Sequence, residues 1–505
     1  MMEKQPLEDS EPTTYKELTN EFADNTNCNG IANIKRSNHV VRKAFWTLLV
    51  LAGAGLTIKL LVDVFTKFFA YPVSISVNVT YESTVQFPAV TLCNVNMIRK
   101  SQIGLMTGSS ALDKLTFTVG GNPDISAWAT TEGRSILRHS FVDGWSQLND
   151  TVKKQQGHQL EEMLLDCSYN GDVCGTNNFT HYINPNFGNC YTFNSNWENQ
   201  TIQYSHRAGP FYGLMLELFI EQDEYIPELT EVAGVIVSIH HQDVMPFPED
   251  DGVLIPPDMS SNIAITAETI TRKAKPYPSD CLNATFKEAA HYSAYSELHP
   301  VRYTHTACYR TCYQAHLFSE CGCGDPVMPL EGQALYNLVT DKQNKRTVCT
   351  SQDEITCELK VYKQYSNNEL ECNCSVACED HIYQTAVTSL RWPSANYKNL
   401  YYGHLASRNP HLATIMQSYV TNGTNPGEHL VKLLIYFNEF NFNYIEEYAS
   451  YPSSSLLSDL GGAIGFYLGI SVIAAFEFIE YIFDLIFIGC KKMKNKKANE
   501  VKSID

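Results

Sequence analysis

Glu477, Glu480 and Asp484 stand at i, i+3 and i+7 in an apolar run that starts at Leu456. Thirty or so residues of this kind are long enough to cross a bilayer. On a helix the three carboxylates share one face. A carboxylate at membrane depth is costly unless it meets water or a partner, so such a residue marks an ion pathway by default. Upstream, Gly461, Gly465 and Gly469 recur every fourth residue, the spacing that lets helices approach closely. A dehydrated alkali cation needs hard oxygen ligands, and this stretch has no thiolate or imidazole cluster to suit any other metal. The acidic face and the glycine seam therefore read as the lining of a cation pore, with Glu477, Glu480 and Asp484 in its inner vestibule. The competing reading is a plain anchor whose acids lie in the cytoplasmic interface, and the lysines that follow at Lys491, Lys492, Lys494, Lys496 and Lys497 put some acids near that boundary.

A pore lining needs a second span and a fixed orientation. Residues from about Ala44 to Phe65 supply the span, although Lys59 and Asp63 interrupt its outer half and place it against protein or water. Lys35, Arg36, Arg42 and Lys43 precede it, and the five lysines follow the other. Positive flanks stay inside, so both termini are cytoplasmic and roughly 390 residues lie between the spans on the outside. The expected division is a cytoplasmic segment 1–42 with no apolar periodicity apart from an ordered piece near Asn29-Gly-Ile31, a first span 43–66, an extracellular domain 67–455, a pore-lining span 456–488 and a cytoplasmic tail 489–505. No secretory signal peptide precedes the first span. The fold class that follows is an α+β membrane protein, two transmembrane helices flanking a large disulfide-rich mixed α/β domain, in the plasma membrane.

The chemistry of the middle segment agrees with an outside location. Fourteen of the 16 cysteines fall between Cys93 and Cys378, an even number in an oxidising compartment, while Cys28 and Cys490 lie on the reducing side. Glycosylation acceptors at Asn78, Asn149, Asn178, Asn199, Asn283 and Asn422 all lie outside as well. Asn373-Cys-Ser matches formally but is wedged between two cysteines. Zinc is the competing reading of the cysteine cluster 308–378; oxidation and an even count favour structural disulfides, whose connectivity composition cannot give. The net charge of −18 concentrates cations at a mouth and excludes a nucleic-acid partner, whose footprint would be basic.

Alternation predicts strands at 73–81 and 262–271; strands are also read at 87–96, 188–194, 212–220, 233–240 and 429–437, and an amphipathic turn or two at 159–166. Helices are expected in 281–378 and from about Ser394 to Ser418. His240-His241 reads as the end of a strand. No nucleophile motif, phosphate loop or zinc signature argues for an enzyme.

Phe87-Pro-Ala-Val-Thr-Leu-Cys-Asn-Val-Asn96, Gly188-Asn-Cys-Tyr-Thr-Phe-Asn194, the cysteine array 308–378 and Leu460-Gly-Gly-Ala-Ile-Gly-Phe-Tyr-Leu-Gly-Ile-Ser471, in this order, resemble the degenerin/epithelial sodium channel/acid-sensing channel superfamily over nearly the whole chain. The resemblance implies a trimer, of identical or related subunits, around a sodium-selective, amiloride-sensitive pore. Sodium is the permeant ion and no cofactor is expected. It places a selectivity filter on Gly469-Ile470-Ser471, where Gly469 and Ser471 would offer carbonyl and hydroxyl oxygens, and a gate region on Ser458, Asp459 and Gly462. It implies the disulfides Cys93–Cys190, Cys167–Cys174, Cys281–Cys378, Cys308–Cys374, Cys312–Cys372, Cys321–Cys357 and Cys323–Cys349.

The chain departs from the family in places. A cytoplasmic His-Gly gating pair is here Asn29-Gly30, which keeps the glycine of a tight turn and loses the imidazole, a change tied to conductance or open probability. Where acid-sensing members have a Trp, Pro276-Tyr277-Pro278-Ser279 stands, so Tyr71 is expected to pack on Tyr277. No Pro-Pro-x-Tyr occurs near the C-terminus, and the short tail with Trp392-Pro393-Ser394 looks closer to the peptide-gated branch. An extracellular neuropeptide is thus the first choice of activator; protons and constitutive or mechanical opening follow. A non-conducting two-span receptor or adhesion protein is the alternative from another class.

Overall fold

A computed structural model describes residues 14–26, 29–106, 138, 141–197, 201–227, 229–283, 286–332, 334–335, 347–349 and 351–501. Cys28 and the sequon at Asn199 lie outside the described residues. The chain divides into two compact units, one made of residues 1–74, 276–278 and 448–505, the other of 75–275 and 279–447.

The chain begins with helices α1 (Tyr15–Asn25), α2 (Asn29–Arg36) and α3 (Val40–Phe69). The expectation of an unpatterned segment before the first span is corrected here. Leu18 and Phe22 are four apart in α1, and Leu18 is buried, so a short apolar stripe was present among the polar residues. Gly30 is also corrected. It sits in the first turn of α2, and a Cβ there would lie 2.6 Å from Val50 Cγ2, so it serves close approach to α3. The first span is 30 residues long, extending past both predicted ends of 43–66, and is the one described helix long and apolar enough by itself to cross a membrane.

The larger unit is built on two large sheets and a short two-stranded one. Strands β1 (Val73–Tyr81), β2 (Val85–Gln86) and β3 (Ala89–Asn94) lead to helices α4 (Asp150–Gln156) and α5 (Leu160–Met163). Of the turn or two expected at 159–166 one forms, and β4 (Leu164–Tyr169) then pairs with a distant strand. Strands β5 (Asp172–Val173), β6 (Phe179–Asn184), β7 (Gly188–Phe193), β8 (Tyr204–Ser205), β9 (Leu214–Phe219) and β10 (Val235–His240) follow, then α6 (Pro248–Asp251), β11 (Val253–Ile255) and β12 (Met259–Thr271). The helical region comprises α7 (Phe286–Ala289), α8 (Tyr295–Leu298), α9 (His305–Glu320) and α10 (Gln352–Ser366). The chain returns through β13 (Glu379–Arg391), α11 (Lys398–Arg408), α12 (Pro410–Thr421), β14 (Leu430–Phe437) and β15 (Asn441–Ala449), and finishes with α13 (Ser453–Leu468) and α14 (Val472–Val501).

One sheet runs β1-β15-β12-β14-β9-β4-β5, with β13 along the other side of β12; the second runs β11-β10-β3-β7-β6. β12 is the spine of the first. It pairs antiparallel with β13 over its full length, from Met259↔Arg391 to Thr271↔Glu379. Its other edge is parallel to β14 and then to β15. Alternation explains its placement: Ile263, Ile265 and Ala267 point into the core. Phe87, Tyr169, Phe193 and Phe437 meet edge to face or tilted at the centre of that core. The strands β3, β7 and β10 are almost wholly buried on both faces, polar residues included: the Thr91 and Thr192 hydroxyls of β3 and β7 bond to each other at 2.7 Å.

Seven disulfides join the pairs Cys93–Cys190, Cys167–Cys174, Cys281–Cys378, Cys308–Cys374, Cys312–Cys372, Cys321–Cys357 and Cys323–Cys349. Five of them nest along the α9–α10 column. A side-chain oxygen starts each helix there: Thr304 accepts from the Ala307 amide, and Ser351 and Glu354 form a reciprocal capping box. Among the described residues the one group of three potential metal ligands is Cys312, His316 and Cys372. Its two sulfurs are bonded to each other, and zinc needs thiolates.

Candidate permeation pathway

The apolar run that holds the acids is two helices. α13 ends at Leu468, Gly469 follows in the left-handed conformation with φ 65°, and α14 starts at Val472. Left-handed backbone costs a glycine little, so the sequence can stop a helix here without a proline. Ser471 then caps the next helix, its Oγ accepting from the Ala474 amide at 3.2 Å. The span assigned to 456–488 thus comprises two helices, Ser453–Leu468 and Val472–Val501, which begin before it and run past it. The residues assigned to a filter, Gly469, Ile470 and Ser471, are the ones between the helices. One hydroxyl lone pair of Ser471 is used by the cap.

Within one chain the glycine seam makes no close contact. A Cβ at Gly461 or Gly462 would meet nothing within 4 Å, and one at Gly465 only the Ile470 carbonyl at 4.0 Å. The close approach of α3 to α13 is made by Gly53 of α3, where a Cβ would fall 2.7 Å from the Tyr467 carbonyl oxygen. Thr57, one turn along, is buried and turns its hydroxyl back to the Gly53 carbonyl at 2.9 Å.

At the start of α13, Ser458, Asp459 and Gly462 are exposed within the chain. Asp459 accepts a short hydrogen bond from the Tyr451 hydroxyl, and Lys67 Nζ lies 4.6 Å from the centre of the same ring. Tyr71 meets Tyr277 edge to face at 5.6 Å, the contact expected in place of a tryptophan.

Glu477, Glu480 and Asp484 do share a face, and they border a cavity of about 340 Å³. Its opposite wall is α1 with the residue that ends it: Leu18, Glu21, Phe22 and Thr26. Phe22 packs on Phe478 at 4.9 Å and on Tyr481 at 4.5 Å, Thr19 Oγ1 lies 2.8 Å from the Tyr481 hydroxyl, and Thr26 donates to Glu477 Oε2 at 3.2 Å. Sequence reasoning missed these N-terminal residues; the Leu18/Phe22 spacing was the available signal.

Of the acceptor asparagines, Asn78 lies on β1 and Asn283 and Asn422 in loops, all three exposed. Asn149 and Asn178 use their Oδ1 atoms on the backbone amides of Thr151 and Gly175. Such caps leave the amide nitrogen that glycosylation modifies.

Residues 22–481 match the family described as amiloride-sensitive sodium channel. The chain is 28% identical to "Degenerin del-1" of Caenorhabditis elegans over 77% of its own length, and spans 54% of that protein. It is 27% identical to "Epithelial sodium channel subunit beta" of Bos taurus and 26% to the same subunit of Homo sapiens, in each case over 95% of this chain and 84% of the relative. The chain belongs to the amiloride-sensitive sodium channel family, a family of ion channels and not of enzymes.

Proposed function

We propose that this chain is one subunit of a sodium-selective, amiloride-sensitive channel of the plasma membrane, with both termini cytoplasmic and three identical or related subunits around the pore. The observation that carries the reading is the interruption at Gly469–Ser471, set between two apolar helices and followed by an acidic face. Backbone that leaves the helix at membrane depth is tolerated where it lines a water-filled path. Carbonyls of such a segment can replace part of a sodium ion's hydration. Three copies of Glu477, Glu480 and Asp484 would hold cations at the inner side. Glycines 461, 462 and 465 meet open space within one chain and leave room for a neighbouring α13. The relatives named as epithelial channel subunits support assembly with related chains.

Expression in oocytes tests the reading. A current carried by sodium and blocked by amiloride is the expected result, with Glu477→Gln lowering sodium preference or unitary conductance. Surface delivery with no current under any stimulus would favour a non-conducting receptor, and an unchanged Glu477→Gln channel would remove the acids from the pore. An amidated extracellular neuropeptide is the first stimulus to apply. Protons are the second, favoured by Asp251, whose carboxyl burial pushes up to about 6. A peptide panel followed by a pH step on the same cells separates the two.

A further inference from the structure

The larger unit holds a pair of ionisable rings that conduction does not use. His241 follows β10 of the five-stranded sheet, and His381 lies near the start of β13 on the other sheet. Their imidazoles are stacked, with centroids 4.4 Å apart and planes 16° apart. Each ring has a carboxylate neighbour. His241 Nδ1 bonds to Asp243, which Arg302 Nε approaches at 3.3 Å. His381 Nδ1 meets Thr269 Oγ1 at 3.2 Å, and its Nε2 lies 3.3 Å from Glu379.

The remaining charged and titratable groups nearby are accounted for. Glu268 accepts from the Gln384 amide at 2.9 Å, and Glu82 accepts from the Tyr444 hydroxyl at 3.3 Å. Tyr383, on β13, is held above its ordinary range by burial. His240 is buried between Thr91 and the His241 carbonyl, and burial lowers it to about 4. Both stacked rings and these acids border a cavity of about 260 Å³ that gives water and protons a way in.

Counting charge decides what the pair tolerates. With one imidazolium present, that ring and Arg302 face two close carboxylates, Asp243 and Glu379. A second proton adds a third positive charge with no new partner, in rings that are in contact. Burial holds His381 down to about 4, and the charges of His241 and Arg302 act in the same direction.

We propose that the His241–His381 stack is a proton-operated latch between the two large sheets of this unit, closed while His381 is neutral and released when acid places a proton on it against His241 and Arg302. A pair of this kind couples pH to the packing of β13 against the end of β10 without any metal or ligand.

Hydrogen exchange on the purified full-length protein tests it without relying on current, so failure of the latch and failure of the channel reading are distinguishable. Amide exchange in 240–244 and 379–383, corrected for the intrinsic rate, is compared between pH 7.4 and pH 4 in the wild type, in His381→Phe, which keeps a ring but cannot take a proton, and in His241→Gln. Exchange in both segments is expected to rise roughly fivefold or more in the wild type and to stay flat in His381→Phe. His241→Gln, which removes the like charge, should also lose the acid-induced rise and serves if the phenylalanine variant does not fold. The same acid response in wild type and both variants, or no wild-type response, overturns the proposal.

Discussion

Arg310 is buried to 4% exposure on α9, yet it carries its charge beside Glu249 and Asp250, each 2.7 Å from a guanidinium nitrogen. Phe247 lies under the guanidinium at 4.3 Å. Removing one partner of such a group leaves charge without its match. Asp250 is nearly half exposed, so the low end of the range applies, and Arg310→Ala is expected to cost about 3 kcal/mol. Arg310→Lys should recover part of it, because an ammonium cannot fork to two carboxylates and stack at once. Thermal melts of the solubilised protein measure both. Glu358 on α10 gives a pH-dependent counterpart. Burial, with help from Asp325, pushes its carboxyl up to about 8 from an ordinary value near 4.5. Between those values the folded chain holds a proton that the unfolded chain has lost, so stability falls as pH rises through this window. Glu358→Gln should therefore raise the melting temperature at pH 8, with the gain shrinking to nothing towards pH 4.5. None of this was legible in the sequence, since an arginine or glutamate on a helix reads as solvated until its distant neighbours are known.

At the scale of elements, Gly53 and Gly55 make a controlled comparison. Both lie in the middle of α3, but a side chain at Gly53 would strike the Tyr467 backbone while one at Gly55 meets nothing within 4 Å. Gly53→Val should push α3 from α13 and abolish most current or surface delivery, whereas Gly55→Val should behave nearly as wild type; surface biotinylation with recording distinguishes the two losses. The strands were largely legible because β1 and β12 alternate with period 2 and apolar residues dominate β9, β10 and β14. The amphipathic spacing in 159–166 yields one turn, Leu160–Met163, because pairing of Cys167 with Leu216 across β4 and β9 overrides local helical spacing beyond it. α1 was missed because its apolar stripe is only two or three residues wide. The glycine seam shows a different limit: spacing says that helices can approach, and only the packed chain says that Gly53 makes the approach to α13.

For the whole molecule, the division of the chain by charge and oxidation state is an inference from sequence alone, which needs no knowledge of packing. The disulfide pairing was not legible from spacing; it came with the family resemblance, and the nested column of α9 and α10 supplies its geometry. The carboxylates of the candidate pathway were legible by type and period, but their cover by Leu18, Phe22 and Thr26 depends on contacts between the two ends of the chain. The division by charge carries a sharp consequence. If the basic flanks at 35–43 and 491–497 both stay inside, every acceptor asparagine from Asn78 to Asn422 is presented to the glycosylation machinery together. Asn78 on β1, Asn283 and Asn422 are exposed, and Asn149 and Asn178 keep their amide nitrogens available while their Oδ1 atoms cap backbone amides. Enzymatic deglycosylation should accordingly lower the apparent mass in one large step, and single Asn→Gln changes should each remove a fraction of it. An epitope appended after Asp505 should bind antibody only after the cells are made permeable. Antibody binding on intact cells would invert the second half of the molecule and place Glu477, Glu480 and Asp484 on the wrong side of the pore.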